Sequence, residues 1–252
     1  AQGDSQDGEI EKREKRILDV RISIFPAING DAAVCRLLNR SDTIFSLDKL
    51  GFDHKALETV RKLIGKSYGM VLVTGPSGAG KTTTLYSILV ETMEKEKNIV
   101  TLEDPVEFRF DTIRQVQMRP ERGLTFAVGM KSVLRQDPDI IMIGEIRDKE
   151  TAEHAVRAAL AGRIVFSTIH SNTSIGTIAR LIDMDIERSL IAYAISGILS
   201  TRLVKKVCGG CRVSYVPAEK YLRAFGLDAT THQFFKGAGC ELCAGTGFTG
   251  RT

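Results

Sequence analysis

The sequence predicts an α/β fold, a mostly parallel β-sheet with helices on both faces. Short runs rich in Val, Ile and Leu alternate with longer helix-period segments from about residue 54 onward. This is the pattern of strands buried on both sides and joined by crossover helices. A glycine-rich loop, "GPSGAGKT", separates one such run from one such helix. Carboxylates close two further runs, "TLEDPVEF" and "IIMIGEIRD", at the strand ends where a parallel sheet forms its ligand crevice.

Taken in order, residues 1 to 16 are polar and charged and read as a frayed lead-in. "ILDVRISIF" alternates as a half-buried strand does, "PAINGD" is a turn, and "AAVCRLLN" is a second strand. Residues 16 to 39 are therefore expected to form a hairpin, within a 1–40 remnant of a preceding domain. Cys35 on that hairpin reads as a core residue. A linker over 41–51 leads to a helix from His54 to Ile64. "MVLVTG" is a strand feeding the helix "KTTTLYSILVETMEKE"; "NIVTLED", "TFAVGMKSVLRQ" and "DIIMIGEI" continue as strand, helix and strand. Asp148, followed by Thr151 and Glu153, caps a helix through Leu160. "RIVFSTIH" is a strand, and helical patterning resumes over 175–207.

The 252 residues are 43% hydrophobic and 26% charged, enough for one large core with a small appended module. No apolar run has the length of a transmembrane segment and no secretory signal opens the chain, so a cytosolic protein is expected. A formal charge of +4 is mild and carries no nucleic-acid signature, and no nucleic-acid partner is expected. The chain begins with Ala rather than Met and is expected to be a piece of a longer protein.

"GPSGAGKT" satisfies G-x-x-x-x-G-K-[ST] in the strand–loop–helix setting that motif requires. Gly75, Pro76, Ser77, Gly78, Ala79 and Gly80 form a loop whose main-chain N–H groups close around a phosphate chain. Lys81 reaches the β and γ phosphates of ATP, the Thr82 hydroxyl ligates Mg2+, and Thr83 follows in the first helical turn, where the helix dipole favours an anion. The alternative is a loop that only turns a strand into a helix.

Of the acids, Glu103, Asp104 and Glu107 follow one strand and Glu145 another. Facing the phosphates, such carboxylates hold magnesium and orient an attacking water. Acids after strands also cap helices, which is the role assigned to Asp148 and an equal alternative for Glu107. Glu145 closes an otherwise apolar strand, where an idle buried charge would be costly.

Cys208-x-x-Cys211 and Cys240-x-x-Cys243 flank a stretch of 28 residues with its own helical segment, "AEKYLRAFG". Two such knuckles aim four thiolates at one ion, so a closed, structural Zn2+ site is expected, with 208–243 as a zinc-binding subdomain. Redox dithiols or plain buried cysteines are the alternatives.

"GPSGAGKTTTLY", "TLEDPVEF", "GLTF", "LRQDPDIIMIGEIRD" and "STIHSN" follow the order and spacing of the GspE/PilB secretion ATPases, so the chain resembles that family from Arg16 to Arg251. The resemblance implies a RecA-like P-loop NTPase domain over 52–252, preceded by part of a PAS-like domain. It assigns Glu145 to a modified Walker B strand, where it serves magnesium and water. Glu103, Asp104 and Glu107 fall in the family's Asp box, and His170 in its His box near the γ phosphate. Arg21 and Arg36 match arginines that reach the nucleotide from the preceding domain. "GCELCAGTGFTGR" is similar to the tetracysteine end of the GspE and PilB branches, which retraction ATPases lack. Two departures stand out: Arg163 replaces a customary histidine, and Lys131 replaces an arginine, losing its planar fork.

The resemblance further implies a ring homo-oligomer, a hexamer, working with inner-membrane platform proteins at the cytoplasmic face of the membrane. The motor would couple ATP hydrolysis to assembly of pilins or pseudopilins. Two other functions compete. A nucleic-acid-translocating ring would use the basic cluster Arg202, Lys205, Lys206 and Arg212, yet no aromatic stacking platform accompanies it. A regulatory module would bind ATP without turnover.

Overall fold

Six parallel strands carry the computed structural model, which describes residues 6–12, 16–39, 45–93 and 97–252. For residues 6–12, 16–19, 21 and 36–39 it describes the backbone alone. β1 (Gln6–Lys12), β2 (Arg16–Ala27) and β3 (Gly30–Asn39) form an antiparallel ribbon. The expected hairpin is there, and part of the expected frayed lead-in pairs as a strand, Gln6 opposite Ile22 through Lys12 opposite Arg16. A ladder uses main-chain groups that every residue except proline carries in full, so a polar segment pairs without an apolar signal. Cys35 is exposed, which corrects the core assignment. Ile24, Phe25 and Val34 nearby are exposed as well, so this part of the ribbon lies uncovered by the described residues.

The main body runs α1 (His54–Ile64), β4 (Gly69–Thr74), α2 (Lys81–Thr92), β5 (Ile99–Glu103), β6 (Arg114–Gln117), α3 (Phe126–Val133), β7 (Ile140–Ile146), α4 (Lys149–Leu160), β8 (Ile164–Ile169), α5 (Ser174–Asp183), α6 (Arg188–Ala194) and β9 (Ile195–Ser200). The expected extension of α2 through residues 94–96 lies outside the described residues, as do residues 41–44 of the linker. Strand order is β6-β5-β7-β8-β4-β9, parallel throughout. Strand side chains alternate between two buried layers. Met70, Leu72, Ile141, Ile143 and Val165 pack with α3, α4 and α6. Val71, Val73, Ile140, Met142 and Phe166 pack with α1 and α2. Each such side chain contributes about 1.5–3 kcal/mol relative to exposure, an upper figure because unfolded chains are partly collapsed. Asp53, Asp148 and Thr173 cap α1, α4 and α5, accepting from the N–H groups of Ala56, Thr151 and Gly176 at 2.7, 2.8 and 3.0 Å.

The helical reading of 175–207 is corrected. α6 passes without a loop into β9, which pairs with β4 at the sheet edge. "ISGIL" is too short for periodicity to separate strand from helix. Its Gly197 lets Leu63 of α1 come so close that a Cβ there would lie 2.5 Å from Leu63 Cδ1.

Beyond the sheet, β10 (Lys205–Val207), β11 (Arg212–Ser214), α7 (Glu219–Phe225), β12 (Phe235–Gly237) and β13 (Phe248–Arg251) make a small module. β10 pairs with β13, and β11 with β12.

Candidate functional site

The carboxyl ends of β4, β5, β7 and β8 open on one cleft of about 770 Å³. The loop after β4 forms its floor. Gly80, at φ 85° in the left-handed region, caps α2 and lets the helix begin directly at Lys81. Ser77 through Thr83 line the cleft, whereas Gly75 and Pro76 do not. Lys81 Nζ donates to the carbonyls of both, each at 3.0 Å, curling the ammonium over its own loop. Partial burial lowers the Lys81 pKa, and the charge of Glu145 opposes that shift.

Glu103, Asp104, Glu107, Glu145 and His170 line the same cleft. Glu145 is the penultimate residue of β7, where the register with β8 breaks between Ile143 and Ile146. A Cβ on the preceding Gly144 would stand 3.3 Å from the Leu102 carbonyl of β5, so a side chain there would crowd that strand. The Gly144 carbonyl accepts from Thr168 Oγ1 at 2.8 Å, which fixes the strand end. The Glu145 side chain is only 12% exposed, pairs with Arg147, and lies 3.3 Å from His170 Nε2.

Glu103 is 3% exposed and engaged on both oxygens. Tyr86 Oη donates to its Oε2. Thr101 Oγ1 and Gln115 Nε2 donate to its Oε1 at 2.6 and 3.0 Å. Burial, then the Glu103 charge, pushes the Tyr86 pKa far upward, so Tyr86 stays a protonated donor.

Arg21 and Arg36 face each other across the β2–β3 ladder; their side chains lie outside the described residues. Arg163 sits before β8, at the end of that strand opposite His170, about 20 Å away along an extended chain. There it donates to the Ala161 carbonyl at 2.7 Å. Lys131 pairs with Glu150 at 2.6 Å, and neither it nor Arg135 lines the cleft. Sequence reasoning missed Tyr86, Gln115, Arg147 and Arg251. The last two line the cleft, yet an arginine after a strand or near a chain end carries no distinguishing pattern. Tyr86 stands in a helix whose buried positions read simply as core.

The four module cysteines present sulfurs all within 4.8 Å of one another. Three of the Sγ–Sγ separations are 3.9, 3.8 and 3.8 Å, too long for disulfides. A tetrahedral zinc site with arms of about 2.3 Å has edges of about 3.8 Å, so the donor set fits that ion. Main-chain N–H groups of Cys240 and Gly247 point at Cys243 Sγ at 3.2 Å each and help pull its pKa down to about 6. Burial pushes Cys211 up to about 11. Four thiolates this close repel one another unless a cation sits between them. Of the basic cluster, Arg212 lies over the Phe235 ring at 3.7 Å, Lys205 over Phe248 at 5.5 Å, and Arg202 donates to the Thr201 carbonyl at 2.7 Å.

A parallel sheet with a glycine loop and helix start at the end of β4, and acids at the ends of β5 and β7, defines a P-loop nucleotide-binding protein. Over residues 5–252 the chain matches the type II/IV secretion system protein family, and it belongs to that family. It is 45% identical over 250 residues to the type IV pilus assembly ATPase PilB of Thermus thermophilus, covering 98% of this chain and 28% of that one. It is 43% identical over 251 residues to the type II secretion system ATPase E of Vibrio cholerae, covering 98% and 50%. The chain thus spans half or less of the length of these relatives. Among solved structures it resembles the pilus retraction motor PilT with bound ADP, at 34% identity and TM-score 0.67, over 91% of this chain and 69% of that one. It also resembles the DotB ATPase of Legionella pneumophila, at 27% identity and TM-score 0.68, over 82% and 59%. No described helix is long and apolar enough to cross a membrane.

Proposed function

We propose that this chain is the ATP-hydrolysing part of a motor for type II secretion or type IV pilus assembly. The observation that carries the reading is the shared cleft, in which the lysine-bearing loop meets the Glu145 carboxylate. The loop N–H groups and Lys81 grip the triphosphate. Thr82 and the carboxylates of Asp104 and Glu145 would hold Mg2+, which neutralises phosphate charge when bound. Glu145, 3.3 Å from His170 Nε2, would take a proton from the attacking water, and His170 would donate to the γ phosphate. Glu107 faces the same space from the neighbouring strand end. The four cysteines would hold Zn2+ as a staple with no open position, the feature that favours secretion or pilus extension over retraction.

The motor acts as a ring homo-oligomer, a hexamer, on an inner-membrane platform, and lies peripherally at the cytoplasmic face. Family membership supports this setting. In the basic cluster Arg212 and Lys205 lie over aromatic rings and Arg202 donates to main-chain carbonyls, which gives a nucleic-acid motor less support than the phosphate cleft gives an ATPase. Lys81→Ala is expected to weaken binding of a fluorescent ATP analogue at least tenfold and to abolish phosphate release. Tight nucleotide binding by that variant would refute the reading. Arg36→Ala is expected to leave ATP affinity within about twofold and to lower turnover at least tenfold in assembled protein, since arginines of this kind act on transition-state charge. Turnover equal to wild type, across a concentration series, would remove Arg36 from the site.

A further inference from the structure

Tyr86 lies within the helix that opens at Lys81, yet its hydroxyl serves a different segment. It donates to Glu103 and accepts from the N–H groups of Glu107 and Phe108 at 3.1 and 3.4 Å. One donor and two acceptor positions are the whole capacity of a phenol hydroxyl. Gln115 repeats the arrangement. It donates to Glu103 and to the Phe108 carbonyl at 3.0 and 2.9 Å, and accepts from Phe110 N–H at 2.8 Å. The segment from Asp104 to Phe110 is therefore held by two side chains that both rest on one buried carboxylate. The ring of Tyr86, 1% exposed, packs edge-on against Phe45 and Phe110 at 5.2 and 5.4 Å between centroids.

We propose that Tyr86 is a positioning residue for ATP hydrolysis: with Glu103 as its anchor, it fixes the segment that brings Asp104 and Glu107 to the cleft. Glu103 then works through Tyr86 and Gln115. Its three bonded donors occupy the carboxylate, and Asp104 and Glu107 are the acids of this strand end left to meet magnesium and water. The inference rests on the hydrolysis reading above.

The test is Tyr86→Phe, which keeps the ring and removes only the hydroxyl. The expected result is a fall in kcat of tenfold or more, with the KM for ATP within about twofold and the Mg2+ concentration for half-maximal rate raised. Amide hydrogen exchange at Glu107 and Phe108 in nucleotide-free protein should quicken at least tenfold, while exchange in β4 and β7 stays as in wild type. Glu103→Gln puts an amide where three donors converge, and should reproduce both effects. The double variant should be no worse than the poorer single one, as for residues acting as a unit. Unchanged kcat in Tyr86→Phe, unchanged exchange at these two amides, or multiplying losses in the double variant would each overturn the inference. Loss of protection throughout the sheet would also overturn it, because the hydroxyl would then be a general stability element. A wild-type protein that binds ATP without turnover would overturn the hydrolysis reading and this inference with it.

Discussion

Glu145→Gln is expected to lower ATP turnover about a thousandfold while leaving nucleotide affinity within about threefold. The substitution preserves volume, so the close packing of the Gly144 step against β5 survives. It removes the one carboxylate in the cleft that is nearly buried and joined to both a histidine and an arginine. A preorganised charge in a water-poor site contributes far more at the transition state than in the ground state. A thousandfold in rate is about 4 kcal/mol. On the proposed reading, binding relies on the loop and Lys81, which the substitution leaves in place. Phosphate release and equilibrium binding, measured over a concentration series that allows assembly, separate the two quantities. Turnover within tenfold of wild type would show that another group activates the water. Equal losses of binding and turnover would show that Glu145 serves the ground state.

The second large effect concerns the cysteines. Cys243→Ser is expected to reduce zinc from about one per chain to well below half, and to open residues 205–251 to protease while the six-stranded sheet stays folded. The module has strands of three or four residues and one seven-residue helix. Secondary structure that short does not hold itself together in water. Binding of a structural zinc ion supplies about 10–16 kcal/mol at pH 7, most of it expressed as folding. Cys243 suits the test because it is buried and takes two main-chain N–H groups on its sulfur. Metal binding must displace protons, including the one that Cys211 holds with a pKa of about 11. Affinity for zinc should therefore fall as pH falls. Wild-type protein purified without chelator, with intact thiols and little zinc, would defeat the metal assignment.

Much of this site was legible from spacing. "GPSGAGKT" depends on local requirements: a left-handed position at Gly80, a helix start at Lys81 and a preceding apolar strand. Each is a property of a few consecutive residues. Asp148 as a helix cap is local in the same way, and its side chain does accept from Thr151. The paired C-x-x-C knuckles announced a four-sulfur cluster because each knuckle is itself a short turn. β9 was illegible, since a short, half-apolar segment such as "ISGILS" becomes a strand only when a sheet edge is available to pair with it. Cys35 misled for a related reason, because alternation along a strand shows that its sides differ without showing which one is covered.

The sequence by itself determined the alternation of buried strands and helices, the phosphate loop, the acids at strand ends and the cysteine cluster, because all of these are short-range patterns. Only the tertiary structure decided that Glu103 is caged by Tyr86, Thr101 and Gln115 whereas Glu145 faces His170 and Arg147. It also decided that Arg163 lies at the far end of its strand from the cleft. Two carboxylates at neighbouring strand ends have the same local chemistry. What separates them is the groups that other elements bring to each, Tyr86 and Gln115 to Glu103 and His170 to Glu145, and such contacts depend on how the layers pack.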